Sequence, residues 1–148
     1  MKNIIAAVFT LFLGVGFAHA ADTPPTKEDA LWLAEVRTSV KSEKYDRAIS
    51  LLKTANDTSS AEWNNLMGYS LRKKQPPDLV GAEKYYQAAL VIDPKHRGAL
   101  EYYGELKLMN NDLPGAEVLL ARLDKACFFG CEEYSDLKEA IKKYKSKK

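Results

Sequence analysis

Cys127 and Cys131 are the only cysteines of the chain, four apart, with Phe128, Phe129 and Gly130 between them. Several chemistries use paired cysteines, and the neighbouring residues separate them. Covalent haem attachment needs a histidine directly after the second cysteine, where Glu132 stands. A thioredoxin-like couple needs two intervening residues in an α/β setting, and three intervene here. Zinc asks for about four ligands, while past residue 20 the chain offers only Cys127, Cys131 and one histidine, His96. A disulfide closing a turn remains, with a reducible regulatory pair as its variant. Gly130 suits either, because an unbroken helix between the cysteines would aim their side chains poorly and glycine lets the helix break. Phe128 and Phe129 are expected to wedge the helices on either side of the turn together.

Other constellations are sparse. His96 lies in "DPKHRG" at the entry to a helical stretch, a place for a solvated capping role. No glycine-rich phosphate loop, nucleophile elbow or metal-spaced cluster is present. Carboxylates are plentiful, as on any solvated helix, and an enzyme using Glu101 and Glu105 is only a formal alternative. No catalytic residue, metal or cofactor is expected.

The first twenty residues form a separate object. Lys2 is followed by an apolar run from Ile4 to Phe17 and then by Ala18-His19-Ala20. Positive charge, apolar stretch and small-residue exit are the marks of a secretory signal peptide. The run falls short of the roughly 20 residues that span a bilayer, and no cysteine follows it to carry a lipid. Cleavage after Ala20 leaves about 128 residues, enough for one modest core, in an exported and periplasmic setting where two cysteines pair. A formal net charge of +2 gives no field for nucleic acid. Lys138, Lys142, Lys143, Lys145, Lys147 and Lys148 crowd the end of the chain. A solvated helix face explains them better than contact with an anionic membrane.

The elements that must position these groups repeat. "KYDRAISLLKTA", "PDLVGAEKYYQAA" and "NDLPGAEVLLARL" place Ala48, Ala82 and Ala116 at a constant spacing of 34 residues. An apolar residue stands three before each alanine (Tyr45, Leu79, Leu113) and a large one four after it (Leu52, Tyr86, Leu120). Copies two and three also share Asp78/Asp112, Gly81/Gly115 and Glu83/Glu117. A second periodic stretch precedes each copy, roughly at 30–41, 61–74 and 97–109. All six show i, i+3, i+4 spacing and read as helices. "SEK", "TSS", "QPPD", "DPKH" and "NND" separate them, and Ser59 with Glu62 reads as a capping box.

This pattern resembles the tetratricopeptide repeat family over about residues 28–126. Trp32 and Leu100 match its large early residue, Gly68 and Gly104 its small one, and Pro94 its closing proline. Gly68 lies fourteen before Ala82 and Gly104 twelve before Ala116, so the "QPP" turn should carry two extra residues. The resemblance implies an all-α fold: three antiparallel helix pairs stacked as a solenoid, each burying the apolar face its neighbour exposes. The expected organisation is a signal peptide at 1–20, a disordered leader at 21–27, repeats at about 29–60, 61–94 and 95–126, then the turn, a capping helix and a basic tail at 127–148. Tyr134, Leu137, Ile141 and Tyr144 form the cap's apolar stripe.

In such arrays the first helices line a concave groove. The resemblance places Leu33, Arg37 and Val40, then Asn65, Tyr69 and Arg72, then Glu101, Glu105 and Leu108 along it. That mixture suits an extended peptide or a partner helix of another protein, which makes the chain an adaptor or assembly factor. The negative Glu101 and Glu105 disfavour a C-terminal carboxylate as ligand. Two rivals stay open: self-association as a homodimer, and service as an accessory subunit of an envelope enzyme complex.

Overall fold

A computed structural model describes residues 27–147; the expected signal peptide and residues 21–26 of the expected leader lie outside them. The described chain is all-α. Its seven helices are α1 (Lys27–Lys41), α2 (Tyr45–Ala55), α3 (Ala61–Lys73), α4 (Leu79–Ile92), α5 (Arg97–Met109), α6 (Leu113–Ala126) and α7 (Glu132–Ser146). α1 packs on α2, α3 on α4 and α5 on α6. The pairs are joined through α2 with α3 and α4 with α5, and α7 closes the stack against α5 and α6. The result is a helical solenoid of stacked antiparallel pairs.

The repeated alanines explain the stacking. Ala48, Ala82 and Ala116 are fully buried, where a larger side chain would hold two backbones apart. Val36, Leu52, Trp63 and Met67 build the core of the first pairs, and Tyr86, Leu100, Leu106, Leu123 and Leu137 build that of the last. Leu71 touches both clusters. The Trp63 indole N–H donates to the Leu52 carbonyl at 2.7 Å and ties α3 to α2. Gly68 is required by close approach, because a Cβ there would lie 2.8 Å from the Tyr86 ring.

The shared Asp and Gly of copies two and three are helix caps. Asp78 and Asp112 each accept the N–H three residues on, from Gly81 and Gly115, at 2.8 Å. A side chain at either glycine would collide with the capping carboxylate. The turn at 74–78 is two residues longer than that at 110–112, as the offset between Gly68 and Gly104 requires.

Three expectations are corrected. The cap of α3 is Ser60, whose hydroxyl accepts from the Trp63 N–H at 3.2 Å; Ser59 donates to Asp57 instead. Glu62 therefore stands one place too early to complete a capping box and is free for other bonds. Lys27, assigned to the leader, already opens α1. Phe128 and Phe129 wedge nothing: they are 92% and 96% exposed, stacked edge-on against each other with centroids 5.4 Å apart. The cap is held by Leu137 and Ile141, which enter the same buried cluster as Leu123. Tyr144 O–H also donates to Asn111 at 3.1 Å, and Lys145 pairs with Glu117 at 2.6 Å. Cys127 and Cys131 are joined as a disulfide, and Gly130, at φ +82°, takes the left-handed conformation inside that turn.

Candidate binding face

The first helices of successive pairs meet, α3 with α5 and α5 with α7, and together they form one face. A ladder of tyrosines crosses it. Tyr45 at the start of α2 lies 6.2 Å from Tyr69 of α3, and Tyr69 lies 4.7 Å from Tyr102 of α5, centroid to centroid. Arg72, one turn after Tyr69, places its guanidinium 5.4 Å from the Tyr69 ring and 5.7 Å from that of Tyr102. It is buried, and it pairs with Glu105 at 2.7 Å while its Nε–H donates to the Tyr86 hydroxyl at 3.3 Å. Burial works against the charge, but Tyr86 and Glu105 outweigh it and keep the guanidinium protonated. Arg72 is buried while Glu105 is 31% exposed, and losing Glu105 would leave the guanidinium buried short of its counter-charge, so Arg72 fixes the ladder rather than reaching for a ligand.

Beside the ladder, between α3, α5 and α7, opens a cleft of about 620 Å³ whose walls include Arg37, Glu62, Asn65, His96, Glu101, Tyr102 and Glu133. Around Glu62 the charges are satisfied. Glu62 pairs with Arg37 at 2.7 Å and with His96 Nε2 at 3.2 Å. His96 Nδ1 caps α5 by accepting the Ala99 N–H, which leaves the ring proton on Nε2, toward Glu62. Burial opposes the charge of Glu62, yet His96 and Arg37 hold its carboxyl below the usual range.

Two groups beside them, Asn65 and Glu101, are not. The Asn65 amide N–H donates weakly to Glu62 at 3.5 Å, and its Oδ1 is buried without a partner. An acceptor left in that state costs about 1–3 kcal/mol. Glu101 is 7% exposed. Burial first, then Glu105, Asp136 and Glu133, push its carboxyl up to about 8, with Arg72 acting in the opposite sense.

The nine residues placed on the groove from sequence therefore divide. Asn65, Tyr69, Arg72, Glu101 and Glu105 gather around the ladder and the cleft, and Arg37 joins them through Glu62. Leu108 is buried in the core, and Leu33 and Val40 pack against the core of the first pairs. Sequence reasoning passed over Tyr102, Glu133 and Asp136, and saw Glu62 and His96 only as capping residues. The two acids of α7 had a signal: one further step of 34 residues from the start of α5 reaches 131, so the cap occupies the place of another first helix.

Among the described residues, no group of three or more His, Cys, Asp or Glu is placed to hold a metal ion, and no helix is long and apolar enough to cross a membrane. No family model and no curated protein matches the sequence. The fold does match a solved structure, that of the type III secretion translocator chaperone SycD of Yersinia enterocolitica. The TM-score is 0.70 over 86% of this chain and 91% of that one, with 16% identical residues. The likeness is one of fold.

Proposed function

We propose that the protein is an exported, periplasmic tetratricopeptide-repeat module that works as an adaptor or assembly factor, binding an extended segment or helix of another protein on the face of α1, α3, α5 and α7. The observation that carries this reading is the ladder Tyr45–Tyr69–Tyr102, braced by the buried Arg72 and its partner Glu105. Large, rigid rings already held in place lose little entropy when a partner covers them. Their polar edges and the adjoining acids supply register. The fold it shares with SycD, a type III secretion translocator chaperone, supports a protein as ligand. The signal-like first twenty residues and the Cys127–Cys131 disulfide support export.

The test is a cross-linked pull-down from native envelope with the tagged chain from residue 21, beside Tyr69→Ala. Tyr69 is half-buried at the surface of the ladder, so the variant is expected to stay folded, which circular dichroism checks. A partner captured by the parent and lost in the folded variant supports the reading. A partner captured equally by both places binding elsewhere. Capture of the protein alone, with doubled mass in light scattering, moves the reading to self-association.

A further inference from the structure

The cleft beside the ladder holds two acceptors that nothing in the described chain satisfies. Asn65 Oδ1 is buried with no hydrogen-bond partner. Its neighbour Glu62 is occupied by Arg37 and His96. No ion pair or hydrogen bond reaches the Glu101 carboxylate among the described residues. The cation that faces it, Arg72, is bonded to Glu105 and Tyr86. Arg97 and Lys95 also line the cleft, both from exposed positions, and Arg97 is turned to Glu133 at 3.5 Å. Glu105, Glu133 and Asp136 add negative potential around Glu101, and the Tyr102 ring forms the adjoining wall.

Asn65 Oδ1 accepts, Glu101 accepts once an entering cation displaces its proton, and the wall is aromatic. This is the chemistry of a site for a cationic hydrogen-bond donor carried on an aliphatic stem. A divalent metal fits poorly, since one carboxylate and one amide oxygen fall far short of the six or so oxygens that calcium or magnesium takes. Resting on the partner-binding reading above, we infer that the cleft receives a lysine or arginine side chain of the bound segment, with Glu101 as its counter-charge, Asn65 as a second acceptor and Tyr102 as the wall. The tyrosine ladder holds the segment, and the cleft selects which segment.

A positional library of short peptides with Lys, Arg, Leu or Glu fixed at the centre, panned on the immobilised chain from residue 21, tests this. Fluorescence anisotropy then compares each selected peptide with its norleucine or citrulline counterpart. Selected peptides are expected to carry Lys or Arg, and removing the charge is expected to weaken binding about tenfold or more. Glu101→Gln should abolish that difference. The comparison on the unaltered protein stands even if the variant folds poorly. Peptides selected without a basic residue, or a basic preference retained by Glu101→Gln, overturn the inference and leave the partner-binding reading intact. If no peptide binds at all, both fall. Putrescine binding as tightly as the best peptide makes a free amine the ligand and overturns the assignment to a partner segment.

Discussion

Glu101→Gln should make the protein more stable, and only above the pH at which carboxylates ordinarily ionise. Glu101 is 7% exposed on the first helix of the third pair, with Glu105 one turn on and Glu133 and Asp136 facing it from α7. Burial and those three charges move its carboxyl from 4.5 up to about 8. Below pH 4.5 the group is protonated in folded and unfolded chain alike, and the substitution changes little. Between 4.5 and 8 the unfolded chain releases the proton while the folded one keeps it, so stability falls as pH rises; above 8 the loss is complete. At 1.36 kcal/mol per pH unit, that interval sets an upper bound of about 5 kcal/mol. The cleft wets one edge of the carboxylate, and screening there lowers the expectation to about 2–4 kcal/mol. Glutamine keeps the shape and removes the charge. Urea unfolding followed by the fluorescence of Trp32 and Trp63, run on both proteins from about pH 4.5 to pH 9, measures the difference. The two stabilities should coincide at the acid end and separate steadily, with the variant above the parent. A gap that does not change with pH, or a variant less stable at pH 9, refutes the reasoning. Glu101 would then be ionised in the ordinary range and carry no burden for binding to relieve.

The remaining predictions concern the scaffold. Gly68→Ala should destabilise by about 1–3 kcal/mol despite alanine's better helix propensity, because its Cβ would meet the Tyr86 ring at 2.8 and 2.9 Å and the Ala82 carbonyl at 3.1 Å; the urea midpoint reads it. Leu137→Ala should cost about 2–5 kcal/mol and release α7, seen as lost amide-exchange protection along Glu132–Ser146. Reducing the disulfide, or replacing both cysteines by serine, should cost at most about 2 kcal/mol in the chain-entropy model, since the bond joins residues only four apart. Phe128→Ser with Phe129→Ser should leave stability within about 0.5 kcal/mol per site; a larger loss would mean that the rings pack against something.

Much of the scaffold is legible in the sequence. Helical periodicity is a property of neighbouring residues, so the positions that must face inward could be read directly. Ala48, Ala82 and Ala116 are fully buried as their spacing requires. The Asp and Gly shared by copies two and three are caps whose partners lie three residues apart in sequence. The offset between Gly68 and Gly104 foretold the longer turn at 74–78. Errors began where an outcome depends on the angle at which the chain leaves a turn. One residue separates Ser59 from the true cap, Ser60. The disulfide-closed turn presents Phe128 and Phe129 to solvent, where hydrophobicity alone argued for burial.

By itself, then, the sequence determined the helices, their pairing and the faces that stack, because these follow from contacts within a turn or between adjacent elements. Only the tertiary structure decided which polar groups meet. Arg72 and Glu105 lie on different helices, and so do Asn65 and Glu101, or Glu101 and Asp136. Their distances depend on how far and at what tilt one helix pair rotates on the next, which no local pattern records. The cap's entry into the acidic wall is of the same kind. α7 was legible as a lid with an apolar stripe, but its other role, bringing Glu133 and Asp136 to bear on Glu101, exists only once it docks against α5.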